Sequence, residues 1–187
     1  MTRIGVLLLA LVFSSAKGVP AQAPKPDREV EKLRAELGHW TFEVEAKTGP
    51  GCLDGKFTGE MACQAILGDS FLQCWLTEKE QDGEFRFFVI EGYDPVNKNF
   101  TRDGYAEDGS KSSSVLTIQK NEWTYTGRWI ADGKQYRYKG TFIFAPDFAS
   151  GTFTDAISLD GEKWSTEESK YQGQPRRQQV AGSFVVS

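Results

Sequence analysis

The sequence predicts an all-β protein, an antiparallel up-and-down barrel of about ten strands with one short N-terminal helix. Three observations support this prediction. Asp-Gly pairs, which favour the type I′ turns of hairpins, begin at positions 54, 82, 103, 108, 132 and 160. The segments between them alternate apolar with polar residues and are rich in Thr, Tyr, Phe, Trp, Val and Ile. No helical pattern interrupts the short, regular spacing, so consecutive strands are expected to pair as antiparallel neighbours.

The first segment, residues 1–23, has the three parts of a secretory signal peptide. Arg3 supplies a positive start, residues 4–13 are apolar, and residues 21–23 (Ala-Gln-Ala) match the A-x-A cleavage pattern, with a cut after Ala21 as the alternative. The apolar run is shorter than the ~20 residues that a membrane-spanning helix needs. We therefore expect an exported protein, periplasmic or extracellular, without membrane insertion.

Residues 24–37 are predicted to form a proline-rich linker and the short helix. Asp27 is a candidate N-cap, and Val30, Leu33 and Leu37 recur at i, i+3 and i+7, which indicates an amphipathic helix. Gly38 follows as the candidate C-cap.

The barrel domain is predicted to span residues 38–171, followed by a polar tail, 172–187. Because a ten-stranded open sheet would leave two long edges, closure into a barrel is favoured, with a two-sheet sandwich as the alternative. The ten strands are expected at 40–46, 56–67, 71–80, 84–93, 98–105, 112–119, 122–130, 134–144, 150–159 and 162–171.

The charge of the chain argues against a nucleic-acid partner. The 187 residues include 22 basic and 26 acidic side chains, and two of the basic ones, Arg3 and Lys17, fall within the predicted signal peptide. An acidic mature chain lacks the basic surface that nucleic-acid binding requires. The oligomeric state is left open by the sequence.

The three cysteines are spaced eleven residues apart, at Cys52, Cys63 and Cys74. With Gly68-Asp69 as a two-residue turn, Cys63 lies opposite Cys74 at a hydrogen-bonded site of the hairpin, where Cα atoms are ~5.5 Å apart. This register makes Cys63 and Cys74 the candidate disulfide, while a pairing with Cys52 and three free thiols stay open. The spacing does not resemble a zinc site, and no metal is expected.

No catalytic constellation is recognisable, and no cofactor is expected. His39 is the one histidine and is interpreted as a polar residue at the helix-to-strand junction. Asp155 and Asp160, and Glu167 and Glu168, could form carboxylate pairs, but such charges are expected on the solvated outer faces of strands.

Aromatic residues on the predicted strands are the best candidates for a binding cavity, because rings with a polar group suit a site that is apolar yet hydrogen-bonding. Arg128 and Arg137 are expected to face each other across the hairpin at Asp132-Gly133, which raises the possibility of an anion between them. The candidate ligand-binding residues are Trp40, Phe42, Trp75, Tyr93, Arg102, Trp123, Tyr125, Trp129 and Tyr138.

Five short motifs are spread along the chain: Leu37-Gly38-His39-Trp40, Gly59 with Met61, residues 67–72 (Leu-Gly-Asp-Ser-Phe-Leu), Gly92-Tyr93-Asp94-Pro95 with Lys98, and Ser158-Leu159-Asp160-Gly161. Together they resemble the motifs of a bacterial family of exported domains of unknown function with a lipocalin-like, calycin-type barrel. The resemblance covers about residues 33–171 and implies the barrel fold, but no activity. At residues 69–71 the chain has Asp-Ser-Phe where the family usually has Gly-Arg-Phe.

The sequence thus predicts an exported barrel that binds a small hydrophobic or amphipathic ligand. One alternative is an enzyme, a hydrolase or isomerase, that uses a carboxylate or a tyrosine in the barrel cavity. A buried Asp or Glu with a raised pKa at the cavity would favour this alternative. The other alternative is a structural or interaction module of the cell envelope.

Overall fold

The computed structural model describes residues 27–46, 55–80 and 83–173. The predicted signal peptide, Cys52 and the part of the tail after residue 173 lie outside the described residues. One helix, Arg28–Glu36, precedes ten strands. The strands are β1 (Gly38–Ala46), β2 (Gly55–Ile66), β3 (Phe71–Glu80), β4 (Gly83–Asp94), β5 (Asn99–Ala106), β6 (Lys111–Gln119), β7 (Glu122–Ala131), β8 (Lys134–Phe144), β9 (Ser150–Ser158) and β10 (Ser165–Gly173).

The strands form a closed antiparallel barrel, which confirms the predicted fold class. Each strand pairs with the next along the chain, and β1 closes the barrel by pairing with β10, with Phe42 opposite Tyr171. Because each edge is paired, the described sheet offers no strand edge to another chain. Among the described residues, no helix is both long and apolar enough to cross a membrane.

Strand boundaries agree with the sequence-based prediction to within two residues, except that β10 begins at Ser165 rather than near residue 162. The Asp160 carboxylate accepts backbone N–H groups from Glu162 and Lys163, at 2.8 and 2.9 Å, and so holds these residues in a turn. Among the Asp-Gly pairs that the structure describes in full, the pair at Asp103-Gly104 is not a turn, because both residues lie within β5. A Cβ at Gly104 would lie 2.5 Å from Ser112 Oγ, so the glycine here makes room inside the barrel.

The N-terminal helix is a 3-10 helix. Asp27 caps it as predicted, accepting the N–H of Glu29 at 2.9 Å. Three residues per turn place side chains at i and i+3 in line. Val30, Leu33 and Glu36 therefore share the buried face, and Glu36 takes the place that α-helical spacing had given to Leu37.

The β2–β3 hairpin has the predicted register, with Cys63 opposite Cys74, and these two residues are joined by a disulfide. The turn covers residues 67–70 rather than two residues, with positive φ at Leu67, Gly68 and Asp69. The Cα atoms of the cysteine pair lie 4.0 Å apart. That separation matches the closer, non-hydrogen-bonded kind of pair, so the hydrogen-bonded site expected from a two-residue turn was wrong.

Candidate functional site

The interior of the barrel divides into a packed half and an open half. The packed half adjoins the helix and holds close aromatic rings, with the Phe144 centroid 4.2 Å from Phe142 and 4.9 Å from Trp123. The open half contains a cavity of about 520 Å³, which we call the barrel cavity. All ten strands contribute residues to its walls. Small-molecule sites typically measure ~300–1,000 Å³.

The barrel cavity is lined by both rings and charged groups. Its aromatic residues include Phe57, Phe85, Phe87, Trp129, Tyr138 and Phe153. Among the described residues, its charged lining consists of the acidic Glu78, Asp108, Asp132, Asp155 and Glu167 and the basic Arg102 and Lys111. Such a lining can hold an apolar body and also orient a polar group.

The structure sorts the predicted ligand-binding residues into three groups. Arg102, Trp129 and Tyr138 line the barrel cavity. Trp40, Phe42, Trp123 and Tyr125 point inward but are at most 4% exposed and belong to the packed half. Tyr93 packs against this core, with its ring centroid 5.1 Å from that of Phe100.

Trp75 lies on the outer face of the barrel, where it is 52% exposed. Its strand neighbours Cys74 and Leu76 are buried, so the period of two in β3 turns Trp75 to solvent. Its ring packs at a tilt against that of Phe88, which in turn stacks on Tyr105, with centroid distances of 5.1 and 5.2 Å. The structure therefore removes Trp75 from the cavity lining.

Beneath the barrel cavity lies a buried polar cluster of Glu36, Glu91, Arg102 and Tyr125. The Arg102 guanidinium forms an ion pair with Glu91 Oε1, and its centre lies 5.0 Å from the Tyr125 ring centroid. The Tyr125 hydroxyl donates to Glu36 Oε1 at 3.3 Å. Glu91 is 0% exposed, and its Oε2 has no hydrogen-bond partner within the described part of the chain.

Glu36 is surrounded by groups that favour its protonated form. Burial, and then the negative charge of Glu91, raise its pKa from 4.5 to about 8, against the opposing effects of Arg102 and Tyr125. Burial also raises the pKa of Glu91, with Arg102 opposing. Glu36 Oε2 lies 3.8 Å from Cys74 Sγ, which carries no proton in the disulfide. The protonated carboxyl can donate to that sulfur.

A second group of carboxyls faces the barrel cavity itself. Asp155 of β9 and Glu167 of β10 are direct partners in the sheet, and both line the cavity together with Glu78. Burial, with the negative charges of Glu167 and Glu78, raises the pKa of Asp155 well above its usual range. The expectation that Asp155 and Glu167 lie on the outer face was therefore wrong. Asp160, by contrast, lies in an exposed turn, and Glu168 is exposed on β10.

Other sequence candidates lie away from the interior. His39 is exposed, between the inward residues of β1. Arg128 and Arg137 are opposite each other as predicted, but both are exposed, so water screens their repulsion. Among the described residues, Glu36, Cys63 and Cys74 are close enough to share a metal ion, but the disulfide removes the two thiolates that would bind it.

A larger concavity, of about 850 Å³, lies outside the barrel, between the helix and the strand ends. Lys32, Lys120, Asp147 and Phe148 are among its lining residues, and all four are exposed. The buried polar cluster and the carboxyl pair lie elsewhere, so we place the candidate site in the barrel cavity despite its smaller volume.

Sequence parity could have found the inward carboxyls. Asp155 is two residues from Phe153 and Ile157, and Glu167 is four residues before Tyr171, so each shares the face of its apolar neighbours. Glu36 carried no such signal, since its burial depends on the 3-10 geometry of the helix.

The fold and site together define a ten-stranded antiparallel barrel that is packed at its helix end and hollow at the other. The chain belongs to the family described as "Protein of unknown function (DUF1579)", whose model matches residues 25–179. No curated protein matches the chain. A similar solved structure is that of Rv2717c from M. tuberculosis, at 11% identity and a TM-score of 0.59, covering 81% of this chain and 100% of that one. That likeness concerns the fold alone.

Proposed function

We propose that this protein binds a small apolar or amphipathic molecule in the barrel cavity. The cavity of about 520 Å³, lined by rings and by a few inward polar groups, is the observation that supports this function. The packed half below it provides a rigid floor, because Phe42, Trp123, Tyr125 and Leu116 are nearly inaccessible to solvent. The lipocalin-like, calycin-type assignment stays a prediction.

Native mass spectrometry of the protein purified from its source without denaturation should show a bound molecule in the barrel cavity. Ala106 lines the cavity near the end of β5, so Ala106→Trp should obstruct it and lower the occupancy at least about tenfold. Val115→Trp is the matched control, since Val115 is 45% exposed. A wild-type protein without a bound molecule, or an equal loss of occupancy in both variants, would contradict the proposal.

A second candidate function, acid–base catalysis in the same cavity, is favoured by Asp155. Burial raises the pKa of the Asp155 carboxyl, which favours the protonated form that a general acid needs, and Glu167 beside it is the candidate base. The cavity therefore holds a carboxyl whose pKa burial raises, directly beside a second carboxyl, and proton transfer to and from a bound substrate needs two such groups.

Para-nitrophenyl esters and glycosides provide a first test of this second function. Asp155→Asn should reduce any turnover by at least about a hundredfold, because it removes the proton donor. Asp103→Asn, a change on β5 outside the cavity lining, should leave the rate unchanged. Wild-type rates no higher than the buffer rate for every substrate would count against catalysis of these reactions.

We also propose that the protein is exported. The signal-peptide pattern of residues 1–23 supports this, and so does the Cys63–Cys74 disulfide, since disulfides persist mainly in oxidising compartments. Detection of the protein in the periplasmic or extracellular fraction, with a mature N-terminus after residue 21 or 23, is the corresponding test.

A further inference from the structure

We propose that the Cys63–Cys74 disulfide is a redox-active bond, and that Glu36 gives a proton to the Cys74 sulfur when a small thiol cleaves it. This inference concerns the packed half of the barrel and is independent of ligand binding in the barrel cavity. It follows from the position of the Glu36 carboxyl, from the unequal burial of the two cysteines and from the groups that surround the carboxyl.

Cys74 is the cysteine that lies beside the carboxyl. Glu36 Oε2 is 3.8 Å from Cys74 Sγ, while Glu36 Oε1 accepts the Tyr125 hydroxyl at 3.3 Å. The backbone carbonyl of Glu36 also accepts the indole N–H of Trp40 at 2.8 Å, which ties the end of the helix to β1. Both the backbone and the side chain of Glu36 are therefore held in place next to the disulfide.

Cys63 is the more accessible end of the bond. Cys63 is 7% exposed and Cys74 is 1% exposed. The partner of Cys63 on β1 is Gly38, and a Cβ built there would have no described atom within 4 Å, so open space adjoins Cys63. In thiol–disulfide exchange the attacked sulfur stays bonded to the incoming thiol and the other sulfur leaves. Attack at Cys63 therefore makes Cys74 the leaving group.

The exchange can be written with every proton and electron pair assigned. The attacking thiolate bonds to Cys63 Sγ, and the electron pair of the S–S bond goes to Cys74 Sγ. Glu36 Oε2 transfers its proton to that sulfur, which gives a neutral thiol and a carboxylate. The second thiolate of a dithiol then displaces Cys63, which takes a proton from water, and the dithiol is oxidised to its cyclic disulfide. Reoxidation by the reverse route returns the proton from Cys74 to Glu36.

The depth of Cys74 explains why a proton donor matters. Burial in apolar surroundings raises the pKa of a thiol, because it disfavours the charged thiolate. A sulfur with a high pKa is a slow leaving group in thiol–disulfide exchange. Since Cys74 is 1% exposed, water is poorly placed to protonate it as the bond breaks. The adjacent carboxyl supplies the proton instead.

The groups around Glu36 allow it both to hold this proton and to release it. Burial, and then the charge of Glu91 on β4, raise its pKa to about 8, so the carboxyl is protonated at pH 7. After the transfer, the positive charge of Arg102 on β5 and the hydroxyl of Tyr125 on β7 stabilise the carboxylate. Tyr171 on β10 also interacts with the charge of Glu36. The buried polar cluster thus receives the charge that the disulfide releases.

Reduction of the folded protein by dithiothreitol tests this role of Glu36. New thiols at Cys63 and Cys74 are trapped with iodoacetamide and measured by peptide mass spectrometry, and each rate is divided by the thiolate concentration of the reagent. We expect Glu36→Gln to lower this corrected rate at least about tenfold at pH 7, because glutamine has no proton to give. Glu43→Gln, at an exposed position of β1, should leave the rate unchanged.

The pH profile separates proton donation from an effect on stability. If Glu36 donates the proton, the corrected rate of the wild type is nearly constant below about pH 8 and falls above it, as the carboxyl ionises. If reduction instead required unfolding, that rate would rise from pH 4.5 to about 8, because the wild type loses stability over this range. The two routes therefore predict opposite trends, and the wild type alone distinguishes them.

A corrected rate that falls above about pH 8 in the wild type but not in Glu36→Gln supports the proposal. Equal rates in these two proteins, or a wild-type rate that rises up to pH 8, would overturn it. So would a disulfide that dithiothreitol does not reduce in the folded protein. None of these outcomes bears on the proposed binding function, which the occupancy of the native protein tests separately.

Discussion

Arg102→Met is expected to lower the free energy of unfolding by about 3–5 kcal/mol at neutral pH, because it leaves a fully buried carboxylate without its counter-charge. Glu91 is 0% exposed and pairs with Arg102, whose positive charge also opposes the rise in the pKa of Glu36. Urea unfolding of the wild type and the variant measures the difference. As Glu91 becomes protonated at lower pH, the variant should recover stability relative to the wild type.

The double variant Arg102→Met with Glu91→Gln tests the cause. Removing both charges should restore more than half of the lost stability, whereas Arg128→Met, an exposed arginine on β7, should change it by no more than about 0.5 kcal/mol. If the single variant loses under about 1 kcal/mol of unfolding free energy, or if the double variant is as unstable as the single one, the Arg102–Glu91 ion pair does not stabilise the folded barrel.

Glu36→Gln is expected to make the protein more stable at alkaline pH. In the wild type the folded Glu36, with a pKa of about 8, keeps a proton that the unfolded chain releases above about pH 4.5. The folded state then binds more protons, so the free energy of unfolding falls as pH rises from 4.5 to about 8 and levels off above it. The loss is on the order of 5 kcal/mol, at about 1.4 kcal/mol per pKa unit over the difference between 4.5 and about 8.

Glutamine at position 36 stays neutral, so this contribution to the pH dependence should disappear. It also keeps a carbonyl oxygen that can accept from the Tyr125 hydroxyl, as Glu36 Oε1 does at 3.3 Å. Denaturant unfolding at pH values from 5 to 9 should show the variant and wild type converging at the acid end and diverging above it. Glu43→Gln, on an exposed site of β1, is the control. If the unfolding free energies of Glu36→Gln and the wild type change in parallel with pH, Glu36 does not have the raised pKa assigned to it.

The difference between the sequence-based prediction and the structure is clearest at the helix. The sequence identified its position and its N-cap, because Asp27 acts on a neighbour two residues away. It predicted Leu37 on the buried face, whereas the 3-10 geometry places Glu36 there. The contact that accompanies this burial joins Glu36 to Tyr125, 89 residues later, and a local pattern cannot encode such a distance.

The barrel interior also shows that local sequence patterns predict only part of the structure. Parity predicted which side chains of β7 and β8 face inward, and it paired Arg128 with Arg137 correctly. It could not separate Trp123, which is 1% exposed in the packed half, from Trp129, which lines the barrel cavity. That separation depends on which end of the barrel the helix closes.

The sequence by itself determined the ten strands, their antiparallel order and the registers of two hairpins, β2–β3 and β7–β8, because turn chemistry and a period of two act between near neighbours. The tertiary structure alone decided which inward residues fill the barrel and which surround its cavity, and it alone buried Glu36 and Glu91 beside Arg102. The burial of a side chain and the compensation of its charge both depend on contacts with residues from strands that are far apart in the sequence. These contacts form only when the barrel closes.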